Sequence, residues 1–352
     1  MVPQKLRDFL GVRILRRHLR QELLKESKEL GRHVAVVAVW PRFPLRMSVQ
    51  RLLDALKHEG WSTVLVMNES PDLDRVADQW GKSSDVVIRR ANIGRDFGAY
   101  QAGYRHLKRH PDYSKIEKLA FFNDSVLYPP NGHAIIAELL QKDVPLAGFF
   151  LNNQFHVHIQ SFALMIGFDV VQSSEIASFW SSYYPSNIRR HAIYKGEVRM
   201  SQIVLRRWQQ GEVVVTYERL LAADSSFWSN MSTPELLALR KNVEGGPRMS
   251  KDIFTKANSN SLYVDSLVRE ALSSGNVSHA LGQVAARLLG CPLKLDLIVQ
   301  GSCTPSDFHE SLVKMSIDPT EISDLMRMMV ARGTDASLGR FERQQIRFGF
   351  TA

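Results

Sequence analysis

The chain has 352 residues, with 45 Lys and Arg against 36 Asp and Glu, and a formal net charge of +9 at pH 7. That length buries a full core and leaves room for a second unit, while no run approaches the roughly 18 apolar residues of a membrane-spanning helix. Cys291 and Cys303 are the only cysteines, too few for a disulfide framework or a CxxC zinc site.

Residues 1 to 33 hold nine Lys/Arg and four Asp/Glu, so +5 of the +9 lies there. From Val12, apolar residues recur at Leu15, Leu19 and Leu23 while Arg13, Arg16, Arg17 and Arg20 gather on an adjacent face. The spacing predicts a short basic amphipathic helix that either packs on the body or lies on an anionic membrane surface. Lys5, Arg7, Asp8 and Arg13 interrupt any secretory h-region, so the expected location is cytoplasmic, with peripheral contact at the inner membrane face.

Val34 to Trp40 is a continuous apolar run, the mark of a parallel strand covered on both faces. A helix across Val49, Leu52, Leu53 and Leu56 follows, then a strand over Thr63 to Met67, a third over Asp85 to Ile88 and a fourth over Leu119 to Phe122. Pro145 to Leu151 reads as a fifth. Strands alternating with helical segments predict an α/β fold with a doubly wound, mostly parallel sheet. The first strand runs into Pro41-Arg42-Phe43-Pro44, so a glycine-rich dinucleotide turn is absent.

The third strand leads through Arg90-Ala91-Asn92-Ile93-Gly94-Arg95-Asp96-Phe97-Gly98 into a helical segment. Gly94 suits a positive φ, and Asn92 suits a bond to its own backbone two residues on. Arg95, at the helix start, offers a planar fork for phosphate oxygens, and Asp96 suits a hydroxyl or a metal. The fourth strand ends in Asn123-Asp124-Ser125. Two polar turns ending neighbouring strands point at one ligand site, although each alone is ordinary turn chemistry.

Further on, an extended run would project His156, His158 and Gln160 from one face and Val157 and Ile159 from the other, giving a polar wall of the cleft or a structural hydrogen-bonding face. Glu197 opens a helix carrying Ile203, Val204, Leu205 and Trp208; it is a dipole-stabilising first-turn residue or a catalytic base. A short strand at Val213 to Tyr217, a helical tract over 262 to 300 broken at Pro292, and two helices from Thr304 to Ala331 complete the reading.

Asn92 to Tyr100, Phe122 to Val126, and His158 to Phe162, with Asn276-Val277-Ser278-His279 and Gly290 to Lys294 downstream, resemble the rhamnan-synthesis protein F family of bacterial glycosyltransferases. The resemblance covers roughly residues 33 to 300. It departs at Tyr128-Pro129-Pro130, where the family pattern has a glycine before one proline.

The resemblance implies a GT-A-like domain over 33–220, a mainly helical acceptor-side region over 221–352, and the basic helix over 1–32. It implies transfer of a sugar, rhamnose from a dTDP donor, to a growing polysaccharide or lipid-linked glycan of the bacterial surface. On this reading Asn92, Gly94, Arg95, Asp96, Asn123 and Ser125 hold the donor nucleotide, and Asp124 sits by the diphosphate. His156, His158 and Gln160 meet the sugar or acceptor, and Glu197 is the base, with Asp96 next in line. Asn123-Asp124-Ser125 has one acid where Asp-x-Asp would have two, so Mg or Mn at Asp124 would need Asp96 or a water-rich shell to complete it. The rivals are a basic nucleic-acid-binding protein, which lacks any aromatic interleaving in its basic tract, and a sugar-nucleotide-binding subunit without catalysis.

Overall fold

A computed structural model describes residues 21–153, 156–229, 261–273, 275–299 and 302–331. Its strands are β1 (Gln21–Lys25), β2 (His33–Val39), β3 (Ser62–Asn68), β4 (Val86–Arg90), β5 (Lys118–Asn123), β6 (Val126–Leu127), β7 (Leu146–Gly148), β8 (Leu151–Asn152), β9 (His158–Ile159), β10 (Ala163–Ile166), β11 (Glu212–Val213) and β12 (Leu293–Lys294). Eight of them form one sheet in the order β1-β4-β3-β2-β5-β10-β7-β11. The four apolar runs become its parallel centre, β4-β3-β2-β5. Val34 to Val39 are buried along β2, as a strand covered on both faces requires.

Helices cover both faces. On one, α1 (Arg46–His58), α2 (Leu73–Lys82) and α4 (His133–Gln141) bury Val49, Leu52, Leu56, Trp80, Ile135 and Leu139. On the other, α3 (Arg95–Leu107), α5 (Ser174–Ser182) and α6 (Arg199–Trp208) bury Phe97, Tyr100, Tyr104, Phe179, Trp180 and Val204. Each such side chain contributes about 1.5–3 kcal/mol of transfer free energy, and the aromatic rings add offset contacts, Phe97 and Trp180 being 6.0 Å apart and stacked.

Several expectations give way to tertiary pairing. Beyond β5 the sheet turns mixed: β10 runs antiparallel to both β5 and β7. The expected fifth strand splits at Phe149-Phe150 into β7 and β8, which join different sheets. The strand at Val213 stops after two residues, and Tyr217–Ala223 is helical because Thr216 caps Arg219 N. Leu23 lies on β1, antiparallel to β4, since pairing with an open sheet edge outweighs a modest helical pattern. The rest of the predicted basic helix, up to residue 20, lies outside the described residues.

The boundary drawn at 220/221 does not separate two cores. Leu267, Val268, Leu281, Ala285 and Cys291 pack in one cluster with Val37, Phe122 and Phe150. β12, expected to be helical, pairs antiparallel with β6, Lys294 opposite Val126. Farther on, α7 (Pro305–Lys314) and α8 (Pro319–Ala331) match the sequence reading; Thr304 and Asp307 form a capping box on the first. Arg51 grips the second by a bidentate pair with Glu321, at 2.9 and 2.7 Å. No helix among the described residues is long and apolar enough to cross a membrane.

Candidate functional site

β3 and β4 lie to one side of β2, and the chain then returns to its other side as β5. Between β2 and β5 the winding reverses, and the carboxyl ends of those strands bound the crevice where open α/β sheets bind ligands. Asp124 stands there, just past β5. Its Oδ2 accepts from Trp40 N at 3.0 Å, and Arg42 Nη2 lies 3.7 Å from the same oxygen and donates to the Asp124 carbonyl at 3.0 Å. Arg42 Nε and Nη1 are buried without a hydrogen-bond partner.

The turn after β4 takes its shape from outside itself. Buried Arg90 donates to Asn68 Oδ1 at 2.8 Å and to the Ile93 carbonyl at 2.6 Å, and Asn68 in turn donates to the Val39 carbonyl at 3.1 Å. One guanidinium thus ties together the ends of β2, β3 and β4; burial pulls its pKa down to about 10. Gly94 has φ +83°, as expected, and its N–H donates to Asn187 Oδ1 at 2.7 Å. A Cβ on Gly94 would lie 2.3 Å from Pro185 Cβ. Asn92 and Arg95 are exposed, and Arg95 itself has φ +54°.

β4 and β5 are not neighbours, contrary to the expectation, yet their polar turns do meet. After β4 the chain crosses over β3 and β2 as α3, which carries Asp96 and Tyr100 towards β5. Asn123 Nδ2 donates to Asp96 Oδ2 at 3.2 Å and to Tyr100 Oη at 3.0 Å. Asn123 Oδ1 accepts from Ser125 N at 3.0 Å and from Ser125 Oγ at 2.6 Å. Tyr100 Oη donates to the Ser161 carbonyl at 2.8 Å, and Ser161 Oγ donates to Glu197 Oε2 at 2.6 Å. Glu197 Oε1 lies 2.8 Å from His158 Nε2, whose Nδ1 lies 2.6 Å from the His156 carbonyl.

Both His158 nitrogens therefore face acceptors. A neutral imidazole has only one N–H, so this geometry calls for the imidazolium and a Glu197 carboxylate. Burial works against each charge, but their mutual bond raises the His158 pKa and, with Ser161 and Lys294, lowers that of Glu197. Asp96 is tuned the other way: burial pushes its carboxyl up, Arg95 opposes, and the Glu197 charge adds to the rise. Two carboxylates in one network thus differ in proton affinity, the pattern of groups with different tasks.

Glu197 does not open α6. It lies in a π-helical turn, Ala192–Val198, continuous with α6; the wider turn packs Gly196 on the Phe97 ring, where a Cβ would come within 2.7 Å. The predicted polar wall folds inward as well. Only His158 and Ile159 are strand, both buried; Val157 and His156 are exposed, and His156 offers its carbonyl. Gln160 is buried and donates to Asn276 Oδ1 at 2.8 Å, and Ser278 Oγ donates to the same oxygen at 2.9 Å.

The distal segments complete the arrangement. Lys294, aligned by the β6–β12 pairing, places its charge against both Asp96 and Glu197, with Nζ 5.0 Å from the Phe162 ring centroid. Asp296 is paired with Arg189 at 3.1 Å and His279 at 3.5 Å; burial resists its charge, but His279, Lys294 and Arg189 hold it far below the usual carboxylate range. Tyr100, Ser161, His279 and Lys294 stood within the quoted motifs without an assigned role. Arg42 and Arg90 carried no pattern beyond a charge at a strand end.

Mg or Mn at Asp124 fits poorly. A hard cation wants several oxygen ligands, whereas Asp124 already holds a backbone N–H and faces a guanidinium. The one cluster of three His, Cys, Asp or Glu ligand atoms among the described residues is His58, Glu59 and His133, which lies outside this network.

No family model matches the chain. Over 180 residues it is 26% identical to uncharacterized protein y4gN of Sinorhizobium fredii, covering 50% of this chain and 46% of that one. Over 127 residues it is 29% identical to virulence protein VirA of Vibrio anguillarum, covering 36% and 40%. The chain thus matches less than half the length of either relative.

Proposed function

We propose that the chain is a glycosyltransferase that binds a nucleotide-diphosphate sugar at the β2/β5 crevice and passes the sugar to a glycan of the bacterial surface. The observation that carries this is the convergence of four separated polar segments on one network, in which Asp96 is a carboxyl of raised pKa and Glu197 a carboxylate locked by two donors. Sugar transfer needs an anion anchor, charge relief on the leaving nucleotide and a base for the acceptor hydroxyl. Arg42, Arg95 and Lys294 supply the first two. Asp96 is the better base, because a carboxyl whose pKa burial raises has proton affinity that a carboxylate saturated by His158 and Ser161 lacks. Glu197 then positions His158 and Ser161. The GT-A-like fold, the dTDP-rhamnose donor and the polysaccharide or lipid-linked acceptor extend this reading through the family resemblance.

Calorimetry with nucleoside diphosphates and their sugars, followed by turnover assays, tests it. Asp96→Asn is expected to keep donor binding and lose turnover by about 10²-fold or more. If no nucleotide sugar binds, the proposal fails; if Asp96→Asn retains full turnover, the base assignment fails.

A further inference from the structure

We propose that His58, Glu59 and His133 bind a divalent transition-metal ion of the zinc class at the junction of α1 and α4. His58 is the last residue of α1, Glu59 follows it, and His133 is the first residue of α4. One ring nitrogen from each histidine and a Glu59 carboxylate oxygen all lie within 4.8 Å of one another.

The spacing is that of ligands around a small ion. Tetrahedral coordination at about 2.0–2.1 Å puts neighbouring donor atoms about 3.3 Å apart. Glu59 Oε1 lies 3.3 Å from His58 Nδ1 and 3.1 Å from His133 Nε2. The His58 contact also has hydrogen-bond geometry, but it is longer than the about 2.7–2.9 Å of charge-assisted bonds. His133 Nε2 is moreover buried without a hydrogen-bond partner, so its 3.1 Å approach to Glu59 is not in hydrogen-bond geometry. A buried ring nitrogen with no partner is the second sign of a missing ligand. The rings stand at 84° with centroids 4.5 Å apart, so two planar ligands share the space edge to face.

Two imidazoles and one carboxylate suit zinc, nickel or copper better than magnesium or calcium. Three protein donors leave a fourth position for water or an outside ligand. The His58 and His133 side chains are 73% and 43% exposed, so the cluster lies near the surface with the His133 Nε2 edge covered. A bound ion would clamp the end of α1 to the start of α4.

The test uses the full chain stripped with a chelator, titrated with zinc chloride by calorimetry and with cobalt(II) by visible absorbance. One zinc per chain is expected, with a melting temperature raised by zinc. His58→Ala and His133→Ala should each weaken binding at least about tenfold, since even outer-shell partners are worth about 10–100-fold. Melting of both variants in chelator, unchanged from the parent, confirms that the fold is intact. Absence of one-to-one binding by the parent chain, or binding that withstands the loss of either histidine, overturns the proposal.

Discussion

Replacing His158 with Gln removes a cation from a network in which every partner is an acceptor. The His158 side chain is 1% exposed and that of Glu197 17%, so the remaining carboxylate would stand almost out of water with only neutral donors, Ser161 Oγ and the Gln amide. Breaking a buried pair by removing one partner costs about 3–5 kcal/mol; with some exposure left to Glu197, the lower end, about 3 kcal/mol, applies. The effect is pH-dependent. His158 has a raised pKa, so its contribution is complete below the ordinary value of 6.5 and is lost as pH rises through the folded-state value. Glu197 has a lowered pKa, so its contribution is complete above the ordinary 4.5 and is lost as pH falls through its folded-state value. The stability gap between parent and His158→Gln should therefore be widest between pH 4.5 and 6.5 and narrower at alkaline pH. Urea unfolding followed by far-UV circular dichroism at about pH 5.5 and about pH 8.5 measures it. A gap equal at both values, or below about 1 kcal/mol at the lower, would refute the ion-pair reasoning.

Asp96→Asn should raise stability at pH 8 while lowering turnover, because a carboxyl of raised pKa makes folding less favourable as pH rises; equal or lower stability at pH 8 argues against a buried, destabilised acid. Gly94→Ala should cost about 2 kcal/mol or more in urea unfolding, since the new methyl would meet Pro185 Cβ at 2.3 Å and φ is +83°. Glu321→Ala should cost about 3 kcal/mol by leaving Arg51 without its bidentate partner, and Arg51→Met with Glu321→Met should cost less than Glu321→Ala alone, measured in the same way.

The parallel centre of the sheet was legible because β2 to β5 are covered on both faces, and continuous Val, Ala, Leu and Phe runs have one extended solution. Gly94 was legible because a glycine between a strand and a helix suits the left-handed turn it adopts there. What sequence could not give was lateral order. The turn at Asn92 and the end of β5 look like neighbours along the chain, and they meet only because α3 crosses two strands to bring Asp96 to Asn123. Periodicity also misled at His156 to Gln160, where alternation predicts two faces, but two ordered strand residues and a buried ion pair override it. Arg42 and Arg90 were invisible because their partners are backbone carbonyls and groups set by the fold.

The β6–β12 pairing and the Arg51–Glu321 grip set the timing of assembly. Arg51 and Glu321 are 270 residues apart in the chain. At about 5–20 residues per second, Glu321 leaves the ribosome roughly 15–50 s after Arg51. Through most of that interval the parallel centre can form while β6 still waits for β12, and Asp96 and Glu197 wait for the charge of Lys294. The nascent chain thus carries an unpaired strand edge and an unfinished network around Asp96 and Glu197 until residues 293 and 294 are out. Chaperone demand should therefore persist until β12 is out, and a ribosome stalled before residue 293 would present a chain that is folded at its centre and unable to complete the candidate site.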